Sequence, residues 1–292
     1  MSTIVKLEHL DLHQARAELL ATLLLSAQRP TPNTNHTIYS IETMSIPRFF
    51  VEVLPASGPV QLSSEDARHA QSVLRLKAGD EIQLFDGKGN QAQAQIVGVS
   101  KSKVQVEVQK LERISRELPH NLNVMVALPK GDRQKVLVDL LVQLGASQLT
   151  PLESYRGVAQ PTDNAIQRLE RSVIESSKQC GRNLLMQVIP PLSVESLCDS
   201  KSSSQQFDGL RLFAHPYGAR IPLLAALERS FETDQPRSAT VLIGPEGGFT
   251  EQECEKLNAA GWTQVCLGDR ILRVEAAAAM IAATWAAVCQ RA

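Results

Sequence analysis

The 292-residue sequence has few aromatic residues, no closely spaced cysteine pair and almost no net charge. Aromatic residues make up 4% of the chain, so its core must pack mainly aliphatic side chains. Its five cysteines form no C-x-x-C pair, which argues against a zinc cluster and favours a reducing compartment. The formal net charge of −1 excludes a basic field over the whole molecule, so any nucleic-acid contact must use a local patch.

The hydrophobic stretches of the sequence are too short to cross a membrane. The longest, residues 276–289, has about 14 residues, whereas a membrane-spanning helix needs about 20. The first 18 residues carry three acids and two bases, unlike the positive start of a signal peptide. We therefore expect a cytoplasmic protein with no membrane contact and no bound metal.

Three segments differ in composition and periodicity. Residues 1–45 contain a short amphipathic pattern and a polar, proline-containing run, and we interpret them as a flexible or dispensable extension. Alternatively, translation begins at Met44. In residues 46–118 apolar and polar residues alternate, which is typical of strands with one wet face. Residues 119–292 alternate predicted strands with helices, which indicates an α/β domain with a mostly parallel sheet.

The α/β segment begins with a clear strand–helix–strand pattern. A near-continuous apolar run at 122–128 predicts a strand buried on both faces, and it precedes a helix at 132–144. Further strands are predicted at 148–152, 210–214, 240–243 and 265–267, with helices at 163–180, 250–260 and 274–291. A small helix is also predicted at 64–74 in the preceding segment.

Two loops that follow predicted strands carry the most unusual sequences. One is Gly-Pro-Glu-Gly-Gly at 244–248, and the other is Leu-Gly-Asp-Arg-Ile-Leu-Arg at 267–273. Each loop alone fits an ordinary strand-to-helix turn, but two of them near the carboxyl ends of strands favour a ligand site. The first loop lacks the common phosphate-binding glycine spacings, and Glu246 would repel phosphate. A neutral or cationic ligand therefore fits better.

Several weaker candidates have two interpretations each. The Lys-Gly-Asp-Arg turn at 130–133 either faces the same cleft or is simply solvated, and Arg182 either binds a ligand or favours a helix end. His215 is either a base or a structural residue. Residues 101–135 hold eight bases and four acids, which suits either a solvated surface or structured RNA.

In its motifs the sequence resembles the small-subunit rRNA uridine-N3 methyltransferases of the SPOUT superfamily, the RsmE family. The matching segments occur in the family's order at 46–50, 69–75, 128–133, 175–182, 243–248 and 267–275. The resemblance implies a small PUA-like β-barrel domain followed by a SPOUT-type α/β domain with a C-terminal trefoil knot. It also implies S-adenosylmethionine as the cofactor, 16S rRNA in the small ribosomal subunit as the substrate, and a homodimer.

The resemblance also assigns roles to individual residues. The cofactor would be held by the two loops, through Ile243, Gly244, Pro245, Glu246, Gly247, Gly248, Leu267, Gly268, Ile271, Leu272 and Arg273. The rRNA would be bound by Arg48, Arg68, Arg75, Lys130, Arg133 and Arg182.

Methylation at uridine N3 requires loss of the N3 proton and support for the charge that spreads onto O2 and O4. We expect Arg273, and after it Arg270, to stabilise that charge. Glu275 would orient Arg273 or accept the proton, unless it is only an acid favoured by the helix dipole.

The sequence departs from the family pattern at Leu140, Gln143, Ser172 and Ala276. Two alternatives stay open. One is a methyltransferase with another RNA target, such as a ribose 2′-hydroxyl or a different rRNA. The other is a binding-only ribosome-assembly factor, which the departures at Gln143 and Ala276 keep open.

Overall fold

The computed structural model describes residues 46–100, 103–159, 161–199, 209–218, 221–231 and 238–290. The predicted extension at 1–45 lies outside the described residues. No helix of the described part is long and apolar enough to cross a membrane.

Five strands in the first part of the structure form one mixed sheet. They are β1 (Arg48–Phe50), β2 (Gly58–Gln61), β3 (Glu81–Phe85), β4 (Asn90–Ser100) and β5 (Lys103–Arg113), in the order β1-β3-β4-β5-β2. Strand β1 runs parallel to β3, and the other neighbours are antiparallel. Val104, Val106 and Val108 of β5 are buried between exposed residues, which confirms the predicted alternation.

The helix predicted at 64–74 is present but changes its winding. Helix α1 (Ser64–Arg68) begins where the Ser63 hydroxyl accepts a hydrogen bond from the Asp66 amide at 3.0 Å. The chain then widens into a π-helical turn over His69–Val73. It widens because the Leu74 amide donates to the carbonyl of His69, five residues earlier.

Seven parallel strands form the sheet of the second part. They are β6 (Leu122–Val126), β7 (Gln148–Glu153), β8 (Gln187–Val188), β9 (Leu192–Ser193), β10 (Leu210–Ala214), β11 (Ala239–Ile243) and β12 (Thr263–Val265). Their order is β12-β10-β11-β6-β7-β8, and β9 also pairs with β7. The predicted α/β fold with a parallel sheet is confirmed, whereas the trefoil knot stays a prediction.

The parallel sheet is buried on both faces, as its apolar strands predict. Along β6, Val124 and Val126 pack into one hydrophobic core, whereas Met125 between them packs into the other. Along β11, Val241 and Leu242 divide between the two cores in the same way. Because both faces are covered, the edges of the sheet remain as the places where a polar site can form.

Helices cover the two faces of this sheet. They are α2 (Arg133–Gln143), α3 (Asp163–Cys180), α4 (Val194–Cys198), α5 (Leu223–Ser230), α6 (Glu251–Ala259) and α7 (Val274–Cys289). Thr250 and Glu253 form the predicted capping box at the start of α6. Sequence periodicity missed α4 and α5, which span only about two turns or fewer.

The last strand, β12, begins and ends two residues earlier than predicted. The predicted strand at 265–267 includes Cys266, which lies beyond the observed strand. In the structure the Cys266 amide donates to the Ile221 carbonyl at 2.9 Å, and Cys266 pairs with Pro222. The chain therefore leaves β10 at Val265 and starts the following loop earlier.

Hydrogen bonds between the first part of the structure and the segment at the end of α3 join the two sheets. Arg48 of β1 donates to the carbonyl of Ser177 at 3.0 Å and to Oδ1 of Asn183 at 2.6 Å. Asn183 in turn donates to the Ile114 carbonyl at 2.9 Å, and Arg116 donates to the Gly181 carbonyl at 3.0 Å. We call this group of contacts the junction.

Arg182 is the most buried cation of the junction. Its guanidinium donates to the carbonyls of Val142 and Ala146, both at 3.0 Å, and forms a two-pronged ion pair with Glu117. This arrangement uses the fixed fork of the guanidinium group. Arg182 therefore has its donors occupied within the chain.

Replacing Arg182 with alanine should lower the free energy of unfolding by about 3 kcal/mol, because the largely buried Glu117 carboxylate and two buried carbonyls lose their donor. Arg182→Lys should recover only part of this, since one ammonium cannot replace the fork. Urea denaturation measures the loss. The exposed Arg171→Ala on α3 is the control and should change stability by less than about 0.5 kcal/mol. Equal losses in the alanine variants would contradict the role given to Arg182.

Candidate functional site

The carboxyl ends of the central parallel strands lie at one edge of the sheet. Ala214 at the end of β10 pairs with Ile243 of β11, which pairs with Val126 of β6. Ala214 also pairs with Val265, the last residue of β12. Because these four ends are level, the loops that follow the strands meet at the same edge.

A cleft lies between those loops. One wall is the loop at 244–248, which we call the glycine loop, and another is the loop at 267–272. His215, Pro216 and Tyr217, which follow β10, form a third wall. All of the predicted cofactor residues except Arg273 line this cleft, together with Ala214, Arg270, Val274 and Ala277.

The glycine loop is a tight turn. The Gly248 amide donates to the Pro245 carbonyl at 2.7 Å, and Gly248 has a φ of +66°. A Cβ on Gly244 would lie 3.2 Å from the ring of Phe249. Side chains at these positions would strain or crowd the turn, so the main chain itself forms this wall of the cleft.

Arg156, from the loop after β7, braces the glycine loop from outside. Its guanidinium donates to the Gly247 carbonyl at 2.6 Å, and a Cβ on Gly247 would lie 3.2 Å from Cδ of Arg156. The neighbouring Tyr155 amide donates to the Glu253 carboxylate at 2.9 Å. The sequence analysis did not identify Arg156. Its position shortly after a strand of the parallel sheet could have indicated that it lies near the ligand site.

The residues expected to be catalytic lie in the second loop and in the helix that follows it, and they differ in exposure and in distance from the cleft. Arg270 is exposed and lines the cleft. Arg273 is also exposed, but it is the N-cap of α7 and does not line the cleft. Glu275, in the first turn of α7, has a side chain only 12% exposed.

Arg133 lies within ion-pair distance of one acid in the glycine loop and one acid in α7. Its guanidinium lies 2.7 Å from Oε1 of Glu246 and 3.8 Å from Oε2 of Glu275. Within the described residues, Oε2 of Glu275 is buried without a hydrogen-bond partner. The pKa of Glu246 is lowered, first by a hydrogen bond from its own amide, with Arg133 and Lys130 adding to the effect. Glu246 therefore presents a negative charge at the cleft.

His215 lies beside the glycine loop with an unused ring nitrogen. In the described part of the chain, its Nδ1 is buried and has no hydrogen-bond partner. Its ring contacts that of Tyr217 edge-on, with the centroids 5.8 Å apart. Burial, and after it the charge of Arg156, lowers the pKa of His215 from 6.5. His215 therefore lines the cleft with its neutral form favoured and its buried Nδ1 unpaired in the described part of the chain.

The six residues expected to bind RNA divide into two groups. Arg68, Arg75 and Lys130 are exposed. Arg48 and Arg182 are bound within the junction, and Arg133 is paired with Glu246 and Glu275. The sequence does not distinguish the two groups, because it does not show which basic residues at turns and helix ends have partners within the chain.

The cleft does not have the composition of a metal site. Among the described residues, no group of three or more His, Cys, Asp or Glu side chains is arranged to hold a metal ion. The cleft is lined instead by main-chain groups, aliphatic side chains, the carboxylate of Glu246, and the side chains of His215, Tyr217 and Arg270. The carboxylate in the glycine loop suits an uncharged or cationic organic ligand better than a phosphate.

Comparison with known proteins identifies similar chains. Residues 116–286 match the family model for the RNA methyltransferase domain, and residues 62–109 match that for the RNA methyltransferase PUA domain. The ribosomal RNA small subunit methyltransferase E of Synechocystis is 30% identical over 216 residues, covering 73% of this chain and 68% of its own. That of Bacillus subtilis is 28% identical over 240 residues, covering 79% and 92%.

Two solved structures are similar over most of the chain. The ribosomal RNA small subunit methyltransferase E of Neisseria gonorrhoeae, bound to S-adenosyl methionine, is 29% identical with a TM-score of 0.69. The match covers 84% of this chain and 96% of that one. A Legionella pneumophila methyltransferase with bound SAM is 26% identical with a TM-score of 0.71, covering 84% and 97%.

In an NMR titration, His215 should show a midpoint below 6.5, because burial disfavours its charged form. Arg156→Gln should raise the midpoint but leave it below 6.5, since burial is the larger cause. Because folding favours the neutral form, the stability from His215 is present above pH 6.5 and is lost as the pH falls through the folded-state pKa. Arg168→Gln on the exposed side of α3 is the control and should not move the midpoint. A midpoint at or above 6.5 would contradict the burial of the ring.

Proposed function

Because this chain belongs to the ribosomal RNA small subunit methyltransferase E family, we propose that it transfers a methyl group from S-adenosylmethionine to N3 of a uridine in 16S rRNA. The observation that carries the proposal is the cleft at the carboxyl edge of the parallel sheet, where both glycine-containing loops meet. Its location agrees with the general position of ligand sites in such sheets.

The residues of the cleft fit this cofactor. Gly244 and Gly248 leave the main chain open to a ligand, and Ile243, Leu267 and Leu272 add apolar surface. The negative charge of Glu246 disfavours a phosphate but is compatible with a sulfonium cation. S-adenosylmethionine supplies an electrophilic methyl group when bound, and we assign its binding to the two loops.

Transfer to N3 requires a group that accepts the N3 proton. We assign this role to Glu275, because it directly follows Val274, which lines the cleft, and because its Oε2 has no hydrogen-bond partner among the described residues. Since N3 is on the pairing edge of the base, the target uridine must be unpaired or turned out of its helix.

The charge that develops on the uracil oxygens requires a cation beside the base. Arg270 lines the cleft and has no ion-pair partner in the described part, so we assign the role to Arg270 ahead of Arg273. Arg273, the first expectation from the sequence, lies outside the lining of the cleft. We keep Arg273 as the second choice.

We propose that the rRNA backbone is bound by Arg68, Arg75 and Lys130, whose exposure supports contact with phosphate. Arg48 and Arg182 are left out, because their donors are used inside the junction. The proposed setting is a homodimer acting on the small ribosomal subunit in the cytoplasm.

We also propose the division into an extension at 1–45, a PUA-like domain at 46–118 and a SPOUT domain with a C-terminal knot at 119–292. The family-model matches at 62–109 and 116–286 support a boundary between the last two segments.

Gly248→Val should weaken binding of S-adenosylmethionine at least about tenfold, since a β-branched residue is strained at a φ of +66° and would distort the loop. Isothermal titration calorimetry measures the change. Gly79→Val is the matched control, because Gly79 also has a positive φ, of +99°, but its Cβ would meet open space far from the cleft residues. That variant should lose stability and retain affinity. Equal affinity in the two variants would remove the glycine loop from the cofactor site.

The activity is tested with labelled S-adenosylmethionine and small ribosomal subunits from a strain that lacks this modification. Nucleoside mass spectrometry should find 3-methyluridine, with a weaker signal from naked rRNA because the folded particle presents the site. Label in another nucleoside would indicate a methyltransferase with a different target. Cofactor binding without transfer to any RNA would favour a binding-only assembly factor.

A further inference from the structure

We propose that Arg133 is a positioning residue that holds Glu275 for the reaction and does not contact the RNA backbone. The inference rests on the proposed function, and it changes the role expected for Arg133 from the sequence. It concerns the one arginine in the described part of the chain that lies within ion-pair distance of both Glu246 in the glycine loop and Glu275 in α7.

Arg133 connects three separate elements beside the cleft, and of the three residues involved only Glu246 lines it. It is the first residue of α2, Glu246 belongs to the glycine loop, and Glu275 lies in the first turn of α7. The guanidinium is 2.7 Å from Glu246 and 3.8 Å from Glu275. A single side chain therefore links the start of α2 to the glycine loop and to the start of α7.

The two ion pairs differ in their surroundings. The side chains of Arg133 and Glu246 are 35% and 41% exposed, so water and salt screen their attraction. Glu275 is only 12% exposed, and its Oε2 has no hydrogen bond in the described residues. Because a buried carboxylate depends more on a nearby cation, loss of Arg133 should affect Glu275 more than Glu246.

The surroundings of Arg133 also argue against contact with phosphate. Two carboxylates within 4.0 Å of its guanidinium would repel an approaching phosphate. Lys130, three residues earlier in the same turn, is exposed and forms no ion pair within the described part. The phosphate contact expected of this turn therefore falls to Lys130.

Replacing Arg133 should affect turnover more than cofactor binding. In Arg133→Gln, affinity for S-adenosylmethionine should fall by no more than about fivefold, because the screened pair with Glu246 contributes little. The turnover number should fall about tenfold to a hundredfold, because a misplaced reacting group costs rate even when binding survives. Arg133→Lys should restore part of the turnover, since it keeps the charge but not the geometry of the guanidinium.

A double-mutant cycle tests whether Arg133 acts through Glu275. If it does, Arg133→Gln combined with Glu275→Gln should lower the turnover number no further than Glu275→Gln alone. Lys135→Gln is the control, because it removes an exposed charge two residues along α2 from Arg133 and lies outside the site. It should match the wild type. Multiplying effects in the double variant would overturn the proposal.

The salt dependence of RNA binding gives a second readout that does not require activity. Removing one phosphate contact lowers the slope of log affinity against log salt by about one. Arg133→Gln should leave the slope for small-subunit rRNA unchanged, whereas Lys130→Gln should lower it by about one. A drop of about one for Arg133→Gln would overturn the proposal.

The two readouts separate failure of this inference from failure of the proposed function. Methyl transfer by the wild type with no change in Arg133→Gln counts against Arg133 alone. No transfer by the wild type counts against the proposed function, and the salt slope then still decides whether Arg133 contacts phosphate.

Discussion

The level ends of the parallel strands are the constraint on which the candidate site depends. Ala214, Ile243 and Val126 occupy equivalent positions in neighbouring strands, and this register is held by main-chain hydrogen bonds between strands buried on both faces. A shift of one residue would exchange the side chains between the two cores. The hydrophobic cores therefore fix the height at which each loop begins, and the loops form one cleft as a result.

Much of this arrangement could be predicted from sequence, for identifiable reasons. The strands at 122–126 and 239–243 are mostly apolar, with one polar residue each, and α3 is bounded by Thr162 and Gly181, whose types favour helix ends. The glycine loop was predicted from its composition and its position after a strand. These signals are local, since each depends on neighbouring residues in the chain.

The partners of charged side chains could not be predicted in the same way. Arg48, Arg133 and Arg182 were grouped with Arg68 and Arg75. The first three, however, bind carbonyls or acids 129, 113 and 65 residues away, at Ser177, Glu246 and Glu117 respectively. Arg156 and the orphan nitrogen of His215 became visible only when the loops were brought together. Long-range packing decides which basic side chains remain available to a ligand, and patterns in a single sequence do not carry that information.

The junction has an unequal distribution of donors and acceptors. Side chains supply the donors, chiefly those of Arg48, Arg116 and Arg182, whereas most of the acceptors are main-chain carbonyls, such as those of Ser177 and Ala146. A carbonyl is present in every residue type, so mutation at an acceptor position changes the side chain and keeps the bond. Substitution at a main-chain acceptor position therefore preserves the hydrogen bond, whereas replacement of an arginine, of Asn183 or of Glu117 removes it.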